Sequence, residues 1–140
     1  YWHECKDEIK LLPSNIKVNY CGLVSHDQIH ETFSRYHAFL FPTLSENFGH
    51  VIAEALSVGC PVIISDQTPW KFEEECIAGY SVKLEDDIFF IKAIKNVLKM
   101  NFKKENLARK EAMDLFSKQC SLEELRIEYK KIFNGNFGGI

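Results

Sequence analysis

The chain is expected to be an α/β protein, a Rossmann-like doubly wound parallel sheet with helices on both faces. Three observations predict it. The runs Ala38 to Phe41 (AFLF) and Pro61 to Ile64 (PVII) are short, apolar and bounded by Pro or Gly, as strands covered on both faces are. Between them, Val51, Ile52, Ala55, Leu56 and Val58 recur at helical spacing, which makes the three segments a βαβ unit. The 140 residues, 46% hydrophobic and 13% aromatic, are enough for one packed core.

Each further element has its own signal. Tyr1 to Leu12 is an amphipathic helix stopped by Pro13-Ser14-Asn15, because proline cannot continue the hydrogen-bond ladder. Ile16 to Cys21 (IKVNYC) alternates as a strand, and Gly22 breaks it. Ser25 with Gln28 three residues on has the pattern of a capping box, starting a helix from about His26 to Arg35. After the strand at Ala38 comes a turn, Pro42 to Glu46. The helix Gly49 to Ser57 then ends at Gly59, a C-cap residue. Asp66 to Pro69 reads as a turn, Trp70 to Cys76 as a short acidic helix and Gly79 to Leu84 as a strand. From Asp86 to about Met100 a helix directs Ile88, Ile91, Ile94, Val97 and Leu98 inward and Lys92, Lys95 and Lys99 outward. Lys103 to Gln119 is a further helix. Ser121 and Glu124 have the pattern of a second capping box, predicting a helix over Leu122 to Phe133, and the Gly- and Asn-rich residues 134–140 are expected to form a flexible tail.

Composition removes several function classes. A net charge of -3 gives no general attraction for nucleic acid. No run approaches the roughly 18 to 20 apolar residues of a membrane span, and no secretory signal opens the chain. The five cysteines are scattered and never form C-x-x-C, which argues against a disulfide framework or a zinc site and fits a reducing cytoplasm. The five histidines are equally scattered and no Asp-x-Asp occurs, so no metal is expected.

The turn at Ser45 to Gly49 is where chemistry is expected, because ligands of open parallel sheets bind at the carboxyl ends of the strands. A helix beginning near Phe48 offers unpaired N–H groups and a partial positive charge, which suits a phosphate. Gly49 lets a ligand come close to the backbone. Glu46 precedes the helix and Glu54 lies within it, about one and a half turns past Gly49 at 3.6 residues per turn. The two carboxylates can therefore address one elongated ligand at separate points.

Glu46 and Glu54, with seven residues between them, stand in SENFGHVIAEALSVGCPVIISDQTPW. This stretch resembles the donor-binding motif of the retaining glycosyltransferases of family 4, the glycosyl transferases group 1, which have the GT-B fold. YWHEC, NYCGLVSHDQI and AGYSV follow the same family's carboxyl-terminal domain in order, up to about Phe133. The resemblance implies that residues 1–133 are a nucleotide-sugar-binding domain lacking its first strands, one incomplete half of a GT-B fold. An amino-terminal acceptor domain of the same chain would be its partner.

It also implies roles. Glu46 is the catalytic candidate, bonding the hydroxyls of the transferred sugar and supporting charge at the anomeric carbon without acting as a nucleophile. Glu54 suits the ribose, since a carboxylate accepts from both vicinal hydroxyls. Asn47, Phe48 and Gly49 would offer backbone N–H groups to the sugar and diphosphate, and Leu23 or Val24 would pack on the base. The donor is a nucleotide diphosphate sugar, with no cofactor and no metal. The family's Arg and Lys against the diphosphate come from a segment upstream of Tyr1, so this piece alone should bind donor poorly and be inactive. The full enzyme is expected to be cytoplasmic, with peripheral attachment to the inner face of the membrane left open. The rival reading is a non-catalytic doubly wound nucleotide-binding or receiver-like regulatory module. Against it, Asp66 follows a strand with no accompanying acidic pair, and no G-x-G-x-x-G is present.

Overall fold

The computed structural model describes residues 1–120; the helix expected over Leu122 to Phe133 and the tail lie outside the described residues. Strands β1 (Phe39–Phe41), β2 (Val62–Ser65) and β3 (Gly79–Val82) form a parallel sheet in the order β1-β2-β3. Phe39 stands opposite Val62, and Ile63 opposite Tyr80. The helices are α1 (Trp2–Lys10), α2 (Ile29–Ser34), α3 (His50–Ser57), α4 (Asp87–Leu98) and α5 (Phe102–Gln119), with a 3-10 turn at His26–Gln28 leading into α2.

The apolar run of β2 is explained by what covers it. Val62 and Ile64 pack with Ile52, Ala55 and Leu56 of α3 and Ala112 of α5, whereas Ile63 faces the other way onto Ala93 and Val97 of α4. Helices thus cover both faces, as in a Rossmann-like α/β fold. Helix α3 ends at Gly59 as expected, with φ +76, and a Cβ there would stand 3.0 Å from the Arg109 carbonyl. Arg109 in turn donates to the carbonyls of Tyr36 (3.1 Å), Ser34 and Gly59 (both 3.5 Å), which fastens α5 to the ends of α2 and α3.

Four elements differ from their sequence pattern. Residues 16–21 form no strand: Ile16, Val18 and Tyr20 are exposed, and among the described residues no neighbouring strand supplies the ladder an extended segment needs. The Ser25 hydroxyl bonds the Gln28 side chain at 2.8 Å instead of capping a backbone amide, so the α-helix proper starts only at Ile29. Residues 70–76 form no helix, because Trp70 is drawn into the core and the amides that follow are taken from outside the segment. Helix α4 carries two apolar stripes, and one sheet can cover only one. Phe90, Ala93, Ile94 and Val97 face Ile63, leaving Ile88, Ile91 and Leu98 exposed.

The outside acceptor is Glu111 of α5. Its Oε2 accepts from the N–H groups of Ile77 at 2.8 Å and Ala78 at 2.9 Å, just ahead of β3. Glu111→Ala would strand two amides, one of them on a fully buried residue. A loss of about 1–3 kcal/mol in urea unfolding is expected, and less for Glu111→Gln, which keeps an acceptor oxygen. An unchanged midpoint in Glu111→Ala would contradict this role.

Burial pushes the Cys60 thiol from 9.0 up to about 11, the Arg109 charge partly opposing the shift. Since the folded value is raised, the contribution to stability is complete below pH 9.0 and is lost as pH rises through about 11. The expected loss is on the order of 2 kcal/mol. Burial also raises Cys76, Tyr80 and Cys120, so the comparison is with Cys60→Ala, whose alkaline unfolding curve should be shallower.

Candidate functional site

The turn after β1 is built by short polar bonds. The amide of Thr43 donates to Phe41 C=O at 2.9 Å and its hydroxyl to Ser45 C=O at 2.8 Å. Ser65, fully buried at the end of β2, donates its Oγ–H to Thr43 C=O at 2.6 Å. The amide of Glu46 donates to Gln67 C=O at 3.1 Å, so the turns after β1 and β2 are joined side by side at the carboxyl end of the sheet.

Glu46 then folds back on its own turn. Its Oε1 accepts from the amides of Asn47 and Gly49, both at 3.1 Å. Gly49 is the N-cap of α3, with φ 81 and ψ 50, a left-handed conformation that favours glycine. A carboxylate therefore sits at the positive end of α3, as helix-end electrostatics favours. The amides of His50 and Val51, first in the helix, have no intrahelical acceptor. Phe48 is half-exposed, its ring 4.6 Å from that of His50.

Glu54 lies on α3 five residues past Gly49, or ~7.5 Å along the axis. Its side chain is partly buried, and its Oε1 is 3.8 Å from Nδ1 of His26 in the 3-10 turn. The loop bearing Leu23 and Val24 therefore leads directly to Glu54. Leu23 is fully exposed and Val24 partly so. Thus Glu46, Asn47 and Gly49 are brought into one bonded cluster, Glu54 faces the end of the Leu23–Val24 loop, and Phe48 lies at the surface between them in sequence.

Three residues with structural claims on this turn were not singled out from the sequence, the first being Ser65, which holds Thr43 C=O. Trp70, 1% exposed, donates its indole N–H to Phe48 C=O at 2.7 Å. Gln67 holds the Glu46 amide. A signal existed for Trp70, a large aromatic residue placed directly after a polar turn at a strand end.

Cavities of about 480 and 600 Å³ lie elsewhere, sharing Phe72, Glu73 and Cys76 in their walls. None of the expected site residues lines either; in the Glu46–Gly49 turn Asn47 and Phe48 are exposed, Glu46 is partly buried and Gly49 is buried. Among the described residues no group of three His, Cys, Asp or Glu side chains is gathered to hold a metal. No helix among them is long and apolar enough to cross a membrane.

A family model described as Glycosyl transferases group 1 matches residues 3–114. The chain belongs to this family. A group 1 glycosyltransferase domain therefore carries the α/β sheet and the Glu46–Gly49 turn described above. Over 47 residues it is 45% identical to the phosphatidylinositol N-acetylglucosaminyltransferase gpi3 subunit of Schizosaccharomyces pombe, covering 34% of this chain and 10% of that protein. The match thus spans about a tenth of the relative's length. No solved structure matches the chain.

Proposed function

We propose that this glycosyltransferase domain is the donor-binding part of a retaining enzyme of family 4 with GT-B architecture, transferring a hexosyl group from a nucleotide diphosphate sugar. One observation carries the reading. A carboxylate, Glu46, is bonded into the start of α3 at the carboxyl end of the sheet, and a second, Glu54, stands ~7.5 Å further along the same helix. In this assignment the sugar hydroxyls donate to Glu46, the diphosphate lies over the free amides at the start of α3, and the ribose hydroxyls donate to Glu54. The base rests by Leu23 or Val24. Asn47 and Gly49 act through their bonds to Glu46, and Phe48 supplies its amide.

Catalysis on this scheme is orientation and charge stabilisation. Glu46 fixes the anomeric carbon toward the acceptor and offsets positive charge growing there as the bond to the diphosphate breaks. The leaving oxygen gains charge near the positive helix end. The helix end alone contributes roughly 0.3–1 kcal/mol, so holding the diphosphate calls for further cationic groups beside it. No divalent ion is assigned to the donor. The relative's printed name is that of a phosphatidylinositol N-acetylglucosaminyltransferase subunit, and a lipid acceptor of that kind would suit an enzyme associated peripherally with a membrane, in this proposal at its cytoplasmic face.

Titration of the full-length protein with UDP, GDP and ADP, followed by backbone amide shifts, tests the reading. Perturbation centred on Val24, Gly49 and Glu54 is the expected result. Silence at millimolar concentrations of all three nucleotides would overturn it.

A further inference from the structure

The end of β2 and the segment after it grip the turn before α3 at three points: Ser65 Oγ on Thr43 C=O (2.6 Å), Gln67 C=O on the Glu46 amide (3.1 Å) and Trp70 Nε1 on Phe48 C=O (2.7 Å). The third bond is unlike the others. It comes from a large side chain with 1% of its surface exposed, whose single polar group reaches the main chain of the candidate site. Gly49 packs so closely on this indole that a Cβ would stand 2.9 Å from Nε1 and 3.1 Å from the adjacent ring carbon.

Two constraints therefore act on one peptide unit, the one between Phe48 and Gly49. The indole holds the Phe48 carbonyl on the core side, and the N–H of the same peptide, on Gly49, points the other way and donates to Glu46 Oε1. Releasing the carbonyl would free the peptide between Phe48 and Gly49 to rotate, because that peptide contains both the Phe48 C=O and the Gly49 N–H. A rotation moving one group necessarily moves the other. The Glu46 carboxylate would then lose an anchor.

We propose that Trp70 is a positioning residue of the donor site, acting through the Phe48–Gly49 peptide to hold the Glu46 carboxylate in place. The inference rests on the reading of Glu46 as the ligand of the transferred sugar. A displacement on the order of 1 Å at such a group is enough to reduce catalysis substantially.

Trp70→Phe keeps an aromatic ring and removes the N–H. In the full-length enzyme it should lower kcat/KM by about fivefold to tenfold, the equivalent of one hydrogen bond. In a Glu46→Gln background the same substitution should have little further effect, since the group being positioned is already compromised. In the 140-residue chain, the Gly49 amide should exchange its hydrogen faster in Trp70→Phe, while the amides of Val62 to Ser65 keep their protection. If Trp70→Phe fails to fold, benzothienylalanine at position 70, with sulfur replacing the indole N–H, supplies the same test with the ring shape preserved.

Unchanged Gly49 exchange, or an equal loss of kcat/KM in both backgrounds, overturns the inference and leaves Trp70 as core packing. If the full-length enzyme transfers no nucleotide-linked sugar and Glu46→Gln changes no activity, the proposed function fails. The exchange rate of Gly49 then still decides whether the indole holds this peptide.

Discussion

Glu46→Gln is expected to slow glycosyl transfer by about 10²-fold, with a smaller change in the affinity for free nucleotide. Glu46 Oε1 accepts hydrogen bonds from the amides of Asn47 and Gly49. Glutamine keeps an oxygen for those amides, so the turn and the start of α3 should survive. What it lacks is the negative charge that, in the proposed role, would offset positive charge at the anomeric carbon. Glu46→Ala removes the acceptor as well and should add a stability loss of roughly 1 kcal/mol, modest because the turn is partly solvated. Steady-state kinetics of both variants, with urea unfolding alongside, separate the two contributions. Wild-type kcat in a well-folded Glu46→Gln enzyme would reduce Glu46 to a turn residue.

The parts of this fold that were legible in the sequence are those whose neighbours lie nearby in the chain. Strand β1, helix α3 and strand β2 cover each other within 27 consecutive positions, from Phe39 to Ser65, and their boundaries were anticipated to within a residue or two. Gly59 was legible because a left-handed C-cap has a strong residue preference. The family match over residues 3–114 agrees with the motif centred on Glu46 and Glu54.

Illegible features depend on distant partners. The alternation of Ile16, Val18 and Tyr20 is a strand pattern, but pattern alone does not supply a neighbouring strand, and these side chains stay exposed. Residues 73–75 are three consecutive glutamates with ordinary helix propensity, yet the segment follows the demands of Trp70, pulled inward to Phe48, and of Glu111, which reaches Ile77 and Ala78 across more than 30 positions. In α4 the sequence offered two apolar stripes. Only the position of Ile63 in the sheet decides that Ala93 and Val97 are buried while Ile88 and Leu98 are not. The site shows the same division: the Glu46–Gly49 turn could be read directly, whereas the contacts from Gln67 and Trp70 required the fold.

Glu54→Ala is expected to weaken nucleotide binding by roughly tenfold to a hundredfold, since charge-assisted hydrogen bonds contribute about 1.5–3 kcal/mol each. The position favours such an effect. Glu54 is on a helix whose neighbours Ala53 and Ala55 are buried, its own side chain is partly sheltered, and the loop carrying Leu23 and Val24 brings His26 to 3.8 Å from its carboxylate. The proposed role also fixes which ligand atoms matter. Wild-type protein should bind UDP more tightly than its 2′-deoxy analogue, because the deoxy form removes one of the two hydroxyls offered to the carboxylate. In Glu54→Ala that preference should disappear, while in Glu46→Gln it should persist. Isothermal titration of the full-length protein with the two nucleotides measures both ratios. A preference for UDP that survives Glu54→Ala would place the ribose elsewhere and reduce Glu54 to a solvated helix carboxylate paired with His26.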